Sequence, residues 1–173
     1  SPGTVYRGLL FADVQTSRLL TDGQQNLLPG SSGLFQHTFE AKTAGSVLFS
    51  TNTTNNPDLS SWSVVLYKDT NGNGAVDSGE PILNGSSPIN VTAGQTLNLL
   101  LKVTVPLAAQ NGASSSTNVN ADFTLANTAN PSISSSKQRT HLVRVSEKMG
   151  GLEITKSVNK PEAMPGPVLT YTI

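Results

Sequence analysis

The chain has 173 residues, no cysteine, and eleven basic against eleven acidic side chains, for a formal net charge of zero. Without cysteine there is no disulfide framework, no thiol nucleophile and no Cys-ligated metal, and balanced charge excludes the clustered Lys and Arg that displace counterions from nucleic acid. Charged residues are 13% of the chain, about half the usual share, while Ser, Thr and Asn make up about a third, so the surface is largely hydroxyl and amide.

No run of the sequence approaches the roughly 20 apolar residues of a membrane span, so membrane insertion is not expected. Helical periodicity is scarce. Alternation of apolar and polar residues recurs instead, separated by Gly, Pro, Asn and Ser, and predicts an all-β chain. In chain order, the first strand is expected at Val5 to Phe11, and the break at Leu28-Pro29-Gly30-Ser31-Ser32-Gly33 follows it. Phe35, His37 and Phe39 then share one face of a strand. Further strands are expected at Ser46 to Thr51 and at Trp62 to Lys68, where Trp62, Val64 and Leu66 are in phase.

The clearest strand is Thr96 to Val105, with Leu97, Leu99, Leu101, Val103 and Val105 on one face and Pro106 ending it. Ala109 to Ser116 reads as an exposed, low-complexity loop before a strand carrying Val119, Ala121, Phe123 and Leu125. Ser132 to Ser136 reads as a second exposed connection, and Thr140 to Ser146 as the next strand. Met149-Gly150-Gly151 breaks the pattern before two last strands, Leu152 to Val158 and Val168 to Ile173. The expected division is thus 1–30 as an N-terminal strand and linker, 31–148 as an antiparallel β-sandwich, and 149–173 as C-terminal strands that start a second repeat or serve as a donor strand.

One motif carries metal chemistry. Asp69-Thr70-Asn71-Gly72-Asn73-Gly74-Ala75-Val76-Asp77-Ser78-Gly79-Glu80 fits the calcium-loop pattern D-x-[DN]-x-[DN]-G-x5-E at every specified position. Calcium is a hard cation that takes oxygen ligands. Asp69, Asn71 and Asn73 offer side-chain oxygens, Ala75 its carbonyl, Asp77 a ligand through water, and Glu80 both carboxylate oxygens, while Gly74 permits the bend. Flanking helices are absent, because a strand precedes the loop and Pro81 follows Glu80 at once. The alternative is a long Asn-Gly hairpin turn with incidental acids.

Trp62-Ser63-Val64-Val65-Leu66-Tyr67-Lys68 and the loop, followed by Val91-Thr92-Ala93-Gly94-Gln95-Thr96-Leu97 and Leu101-Lys102-Val103-Thr104-Val105-Pro106, resemble the Ig-like modules of large prokaryotic cell-surface proteins of the envelope or S-layer type. The tail Leu152-Glu153-Ile154-Thr155-Lys156-Ser157-Val158-Asn159-Lys160, with Pro165-Gly166 and Val168 to Ile173, is similar to the opening of the conserved repeat domain that follows such modules. The resemblance implies an Ig-like sandwich with an inserted calcium loop, in an extracellular, non-catalytic building block of a surface layer, stalk or filament. Its implied partners are copies of itself or neighbouring repeat domains.

Catalytic constellations are not evident. His37 and His141 are the only histidines and neither has a second histidine at metal-ligand spacing, so each reads as a satisfied core or edge residue. No G-x-S-x-G elbow occurs, and nothing singles out a carboxylate pair for glycoside chemistry. The alternative function is a carbohydrate-binding or adhesin module with glycan contact through exposed rings. Trp62 decides between the two, since a buried indole favours the structural reading.

Overall fold

The computed structural model of the chain describes residues 15–58, 61–127, 132–146, 157–158 and 171–172. Nine strands form two facing sheets: β1 Arg18–Leu20, β2 Gly23–Leu27, β3 Ser32–Glu40, β4 Gly45–Asn56, β5 Ser63–Asp69, β6 Ile89–Val91, β7 Thr96–Thr104, β8 Ser114–Leu125 and β9 Ser134–Val145. One sheet has the order β1-β3-β7-β5 and the other β2-β9-β8-β4-β6, which is the partition of an immunoglobulin-type sandwich. A separate antiparallel pair joins β10 Ser157–Val158 to β11 Tyr171–Thr172. No helix occurs among the described residues.

The alternation seen in the sequence sets the two inner faces. Leu97, Leu99, Leu101 and Val103 of β7 are buried in register with Phe39, His37, Phe35 and Gly33 of β3. Val47 and Phe49 of β4 face them from the other sheet, with Val119, Ala121 and Phe123 of β8. Phe39 meets Phe49 edge-on at 5.4 Å between ring centroids and Phe123 at 6.4 Å. Each such fully buried side chain contributes roughly 1.5–3 kcal/mol.

Three sequence expectations change. The boundary at residue 31 falls inside the sandwich, because β1 pairs antiparallel with β3 and β2 pairs parallel with β9. This first stretch switches sheets, and with so few residues in each it shows no readable period. Of the exposed connections expected at Ala109 to Ser116 and Ser132 to Ser136, Ser114 to Ser116 and Ser134 to Ser136 belong instead to β8 and β9, which pair with each other from Ser114↔Arg144 to Thr124↔Ser134. Ser115 and Thr117 are buried, and Thr117 exchanges a hydroxyl hydrogen bond with Thr53 of β4 at 3.0 Å. Likewise β4 runs on to Asn56 through a uniformly polar half, since a backbone ladder needs no apolar side chains. The expected strand Val5 to Phe11 and the break at Met149 to Gly151 lie outside the described residues, as do most of the two expected C-terminal strands.

The ladder registers define two poles. Arg18, Glu40 and Thr96 share one end, whereas Leu27 and Val145 lie at the other, near Ser32 and Thr104. The described sandwich therefore begins at one pole and β9 leaves at the opposite one.

His37 and His141, far apart in sequence, meet in the interior with centroids 4.4 Å apart and edge-on rings. They are 3% and 1% exposed. His37 Nδ1 lies 3.2 Å from the Leu20 carbonyl, but His37 Nε2 and both nitrogens of His141 have no partner, so these are core histidines but not satisfied ones. Burial lowers the pKa of both, that of His141 to about 4; beyond burial, Asp22 raises and Arg139 lowers that of His37, while His37 further lowers that of His141. A histidine held neutral in the fold is protonated first in the unfolded chain, so its contribution is intact above pH 6.5 and is lost as pH falls toward about 4. Denaturant unfolding across that window should show a loss on the order of 1–3 kcal/mol. A His141→Phe variant with an equally steep loss would exclude the pair as its source.

Candidate metal loop

β5 ends on Asp69, whose register with Asn98 and Thr38 places it on the outer face of its sheet. The loop that follows folds back over that face. Gly72 packs against the Asn98 side chain and Gly74 against that of Gln36, and together with Thr38 and Asn73 these residues border a polar cavity of about 260 Å³. Leu100 lies on the same face, in register with Gln36 and Tyr67, yet it is fully buried. An outward-phased leucine is thus buried on the sheet face over which the loop folds.

Within the loop the carboxylates are held by donors close in sequence. Asp69 is 6% exposed and accepts the Gly72 amide at 2.6 Å and the Gly74 amide at 3.0 Å. The side-chain amides of Asn71 and Asn73 donate to the same oxygen of Asp77, at 2.7 and 2.6 Å. Their carbonyl oxygens accept the Asn73 and Ala75 amides at 3.1 and 2.8 Å. Glu80 accepts the Asp77 amide through Oε2 at 3.2 Å, and its Oε1 is buried without a partner. Gly74 has φ 73°, which favours glycine there, and a Cβ would also press on the end of the Gln36 side chain.

The expected ligands are thereby gathered in one loop. Asp69, Asn71, Asn73 and Asp77 are linked through hydrogen bonds within it, and Glu80 closes onto Asp77. Among the described residues no three acidic or imidazole side chains converge as a metal cluster, and the loop as it stands satisfies Asp69 and Asp77 with N–H donors. The donor chemistry nonetheless suits calcium: each Asn carbonyl has a second lone pair beyond the one its backbone amide uses, and Glu80 Oε1 lacks any donor. After Glu80 the chain returns beside β5, with Lys68 donating to Pro81 and Leu83 to Leu66. What sequence reading missed is the packing of the loop on Gln36 and Asn98; the off-phase Leu100 was the available signal.

Trp62 is half-buried against the core and its Nε1 is inside the protein without a partner. Its indole is not a free stacking platform. Neither histidine shares a hydrogen bond with a hydroxyl among the described residues.

No protein-family model matches the sequence, and no curated protein matches it. Among solved structures it is similar to the ASH / PapD-like domain 7 of human CEP192, with a TM-score of 0.46 and 6% identity over 86% of this chain and 98% of that one. It is also similar to a family 123 glycoside hydrolase from Clostridium perfringens, with a TM-score of 0.42 and 12% identity over 70% of this chain and 22% of that one. A third likeness is to a chaperone–tip adhesin complex of CFA/I fimbriae, with a TM-score of 0.38 and 11% identity over 84% of this chain and 60% of that one. At these scores none of them speaks to what this chain binds or does.

The role of Asp69 as acceptor for the loop amides is separable from any role as a ligand. In chelator only the first remains, so Asp69→Ala should still cost about 1–3 kcal/mol, because the Gly72 and Gly74 amides lose their acceptor. Asp69→Asn, which keeps an acceptor, should lose less. Equal stabilities of the two variants in chelator, measured by urea unfolding, would contradict the assigned hydrogen bonds.

Proposed function

We propose that the chain is a non-enzymatic structural module of an extracellular layer, stalk or filament, stabilised by calcium in the Asp69 to Glu80 loop and joined end to end with copies of itself or neighbouring repeat domains. The observation that carries this reading is the polarity of the sandwich: its first described strand begins at one pole and β9 leaves at the other. Modules with opposed ends extend in a line when linked, as a stalk or filament requires. The exit pole adds apolar surface, with Leu107 84% and Leu28 40% exposed beside Gly30. The resemblance of the strand, loop and repeat motifs to prokaryotic surface modules supports the same reading. The inward packing of Trp62 argues against glycan stacking at that residue, and the partnerless imidazole nitrogens argue against a hydrolase triad.

Calcium would be held by Asp69, Asn71, Asn73, the Ala75 carbonyl and Glu80, with Asp77 acting through water. When bound it supplies charge that Asp69, Asp77 and Glu80 lack from any basic side chain among the described residues. The loop folds over the face that carries Gln36 and Asn98. At about 100 Kd of calcium the native state should gain roughly 2.7 kcal/mol. Melting in calcium and in chelator measures this, and Glu80→Gln should respond far less than the parent. An unchanged melting temperature removes the metal from the proposal.

End-to-end joining has its own test. Strand addition through residues 152–173 predicts that the full chain grows in light scattering with concentration in calcium, and that a chain ending at residue 151 does not. A full chain that stays monomeric at high concentration rules out self-addition.

A further inference from the structure

β9 pairs with β8 along its length, but on its outer side β2 covers only His141 to Val145. No described strand lies against the outer side of Ser134 to Gln138. The amide of Thr140 points outward, donating to Asp22 Oδ1 at 2.9 Å. By the two-residue alternation of an antiparallel ladder, the amides and carbonyls of Gln138 and Ser136 face outward too. Such a row is a template for another strand.

The same stretch carries cations at core phase. Lys137 and Arg139 share the inner face with His141 and Val143, in register with the buried Ala121 and Val119 of β8. Between them and β1 lies a cavity of about 330 Å³, bordered by Ser17, Arg18, Leu19, Lys137 and Arg139. Arg139 is already engaged, since its Nε donates to the Leu19 carbonyl at 2.6 Å and its Nη1 is 3.8 Å from Asp22. Among the described residues neither Arg18 nor Lys137 is in an ion pair, although Lys42 and, more weakly, the charge of Arg18 lower the pKa of Glu40, the register partner of Arg18. The Ser17 hydroxyl lines the cavity, is 1% exposed, and has no hydrogen-bond partner. Three cations and one unused buried donor border this cavity, and Asp22, the acid nearest Arg139, is not part of its lining.

We propose that this seam receives an extended peptide carrying a carboxylate side chain, which adds as a strand to β9 at Ser134 to Gln138 and sets the carboxylate among Lys137, Arg18 and the Ser17 hydroxyl. The unpaired backbone row selects a peptide over an acidic glycan, because only a peptide completes the ladder. The cations select its charge and register. Among the described residues no strand pairs with the outer side of β4 beyond Val47 either, but Gly85 packs beside Phe49 and Ser50 there, and Leu48 to Asn56 contains no charged residue and selects nothing. The proposal rests on the strand addition put forward above only for one source of such a strand, a second copy; any acidic extended segment satisfies it.

The test uses the full chain and two labelled Thr/Val peptides that differ only in a central Glu or Gln. Fluorescence anisotropy should favour the Glu peptide by about tenfold, the size of one charge-assisted hydrogen bond. That preference should shrink in high salt and vanish in Lys137→Gln, with Ser17→Ala and Arg18→Gln each reducing it. In the complex, hydrogen exchange at the Ser136 and Gln138 amides should slow while Ser50 and Asn52 on β4 are unchanged. Equal binding of the two peptides, a preference that survives all three substitutions, protection on β4, or binding of polygalacturonate with neither peptide bound would each overturn it. A chain that remains monomeric but binds the Glu peptide keeps this site and removes self-addition, so the two readings fail separately.

Discussion

Two sheets with no cysteine between them stay together only if their inner faces exclude water over a continuous area, and this requirement governs the rest of the molecule. Phe39 provides the main cross-sheet contact, wedged against Phe49 and Phe123, while Leu97, Leu99 and Leu101 close the space beside it. Toward the exit pole the interior becomes polar, with Thr53, Thr117 and Ser115 between the sheets beside the histidine pair. Several of those polar atoms have no partner. The apolar half must therefore compensate for desolvation in the polar half, which makes the fold sensitive to any charge appearing at His37 or His141.

The outer face of the β5-containing sheet presents a second burial problem, because Leu100 is in phase with solvent and yet enclosed. The loop after Asp69 rests on the neighbouring Gln36 and Asn98. Its acids and amides are thus more than a turn: the Asp69 carboxylate organises two loop amides, and a cation gathering the remaining oxygens would tighten the cover over this face. The acid- and amide-rich loop lies on the outer face of the sheet, at the pole where β1 begins.

Edges complete the picture. Closed barrels have none, but a sandwich leaves four, and here they are protected unequally. The returning segment Pro81 to Leu83 covers part of β5, short strands cover one end each of β4 and β9, and Arg139 straps β9 to the main chain of β1. The remaining stretch of β9, which no described strand covers, pairs a backbone row with cations, and that combination distinguishes it from an edge that is merely uncovered.

The sequence by itself determined the all-β class, the core phases of β3, β7 and β8, and the positions of the loop oxygens. These follow from local rules: a strand alternates every two residues, and a loop rich in Asp and Asn spaces its side-chain oxygens along one short segment. Only the tertiary structure decided where uniformly polar stretches go. Thr53 to Asn56 and Ser114 to Ser116 have no period to read, and they become paired strands because each satisfies the other's backbone. Leu19 and Leu27, in a stretch that reads as linker, are core residues because β1 and β2 close opposite sheets. The meeting of His37 with His141, the covered Leu100, and the cations facing inward on β9 depend on contacts between residues distant in sequence, and no local pattern encodes which distant partners the sheets will bring together.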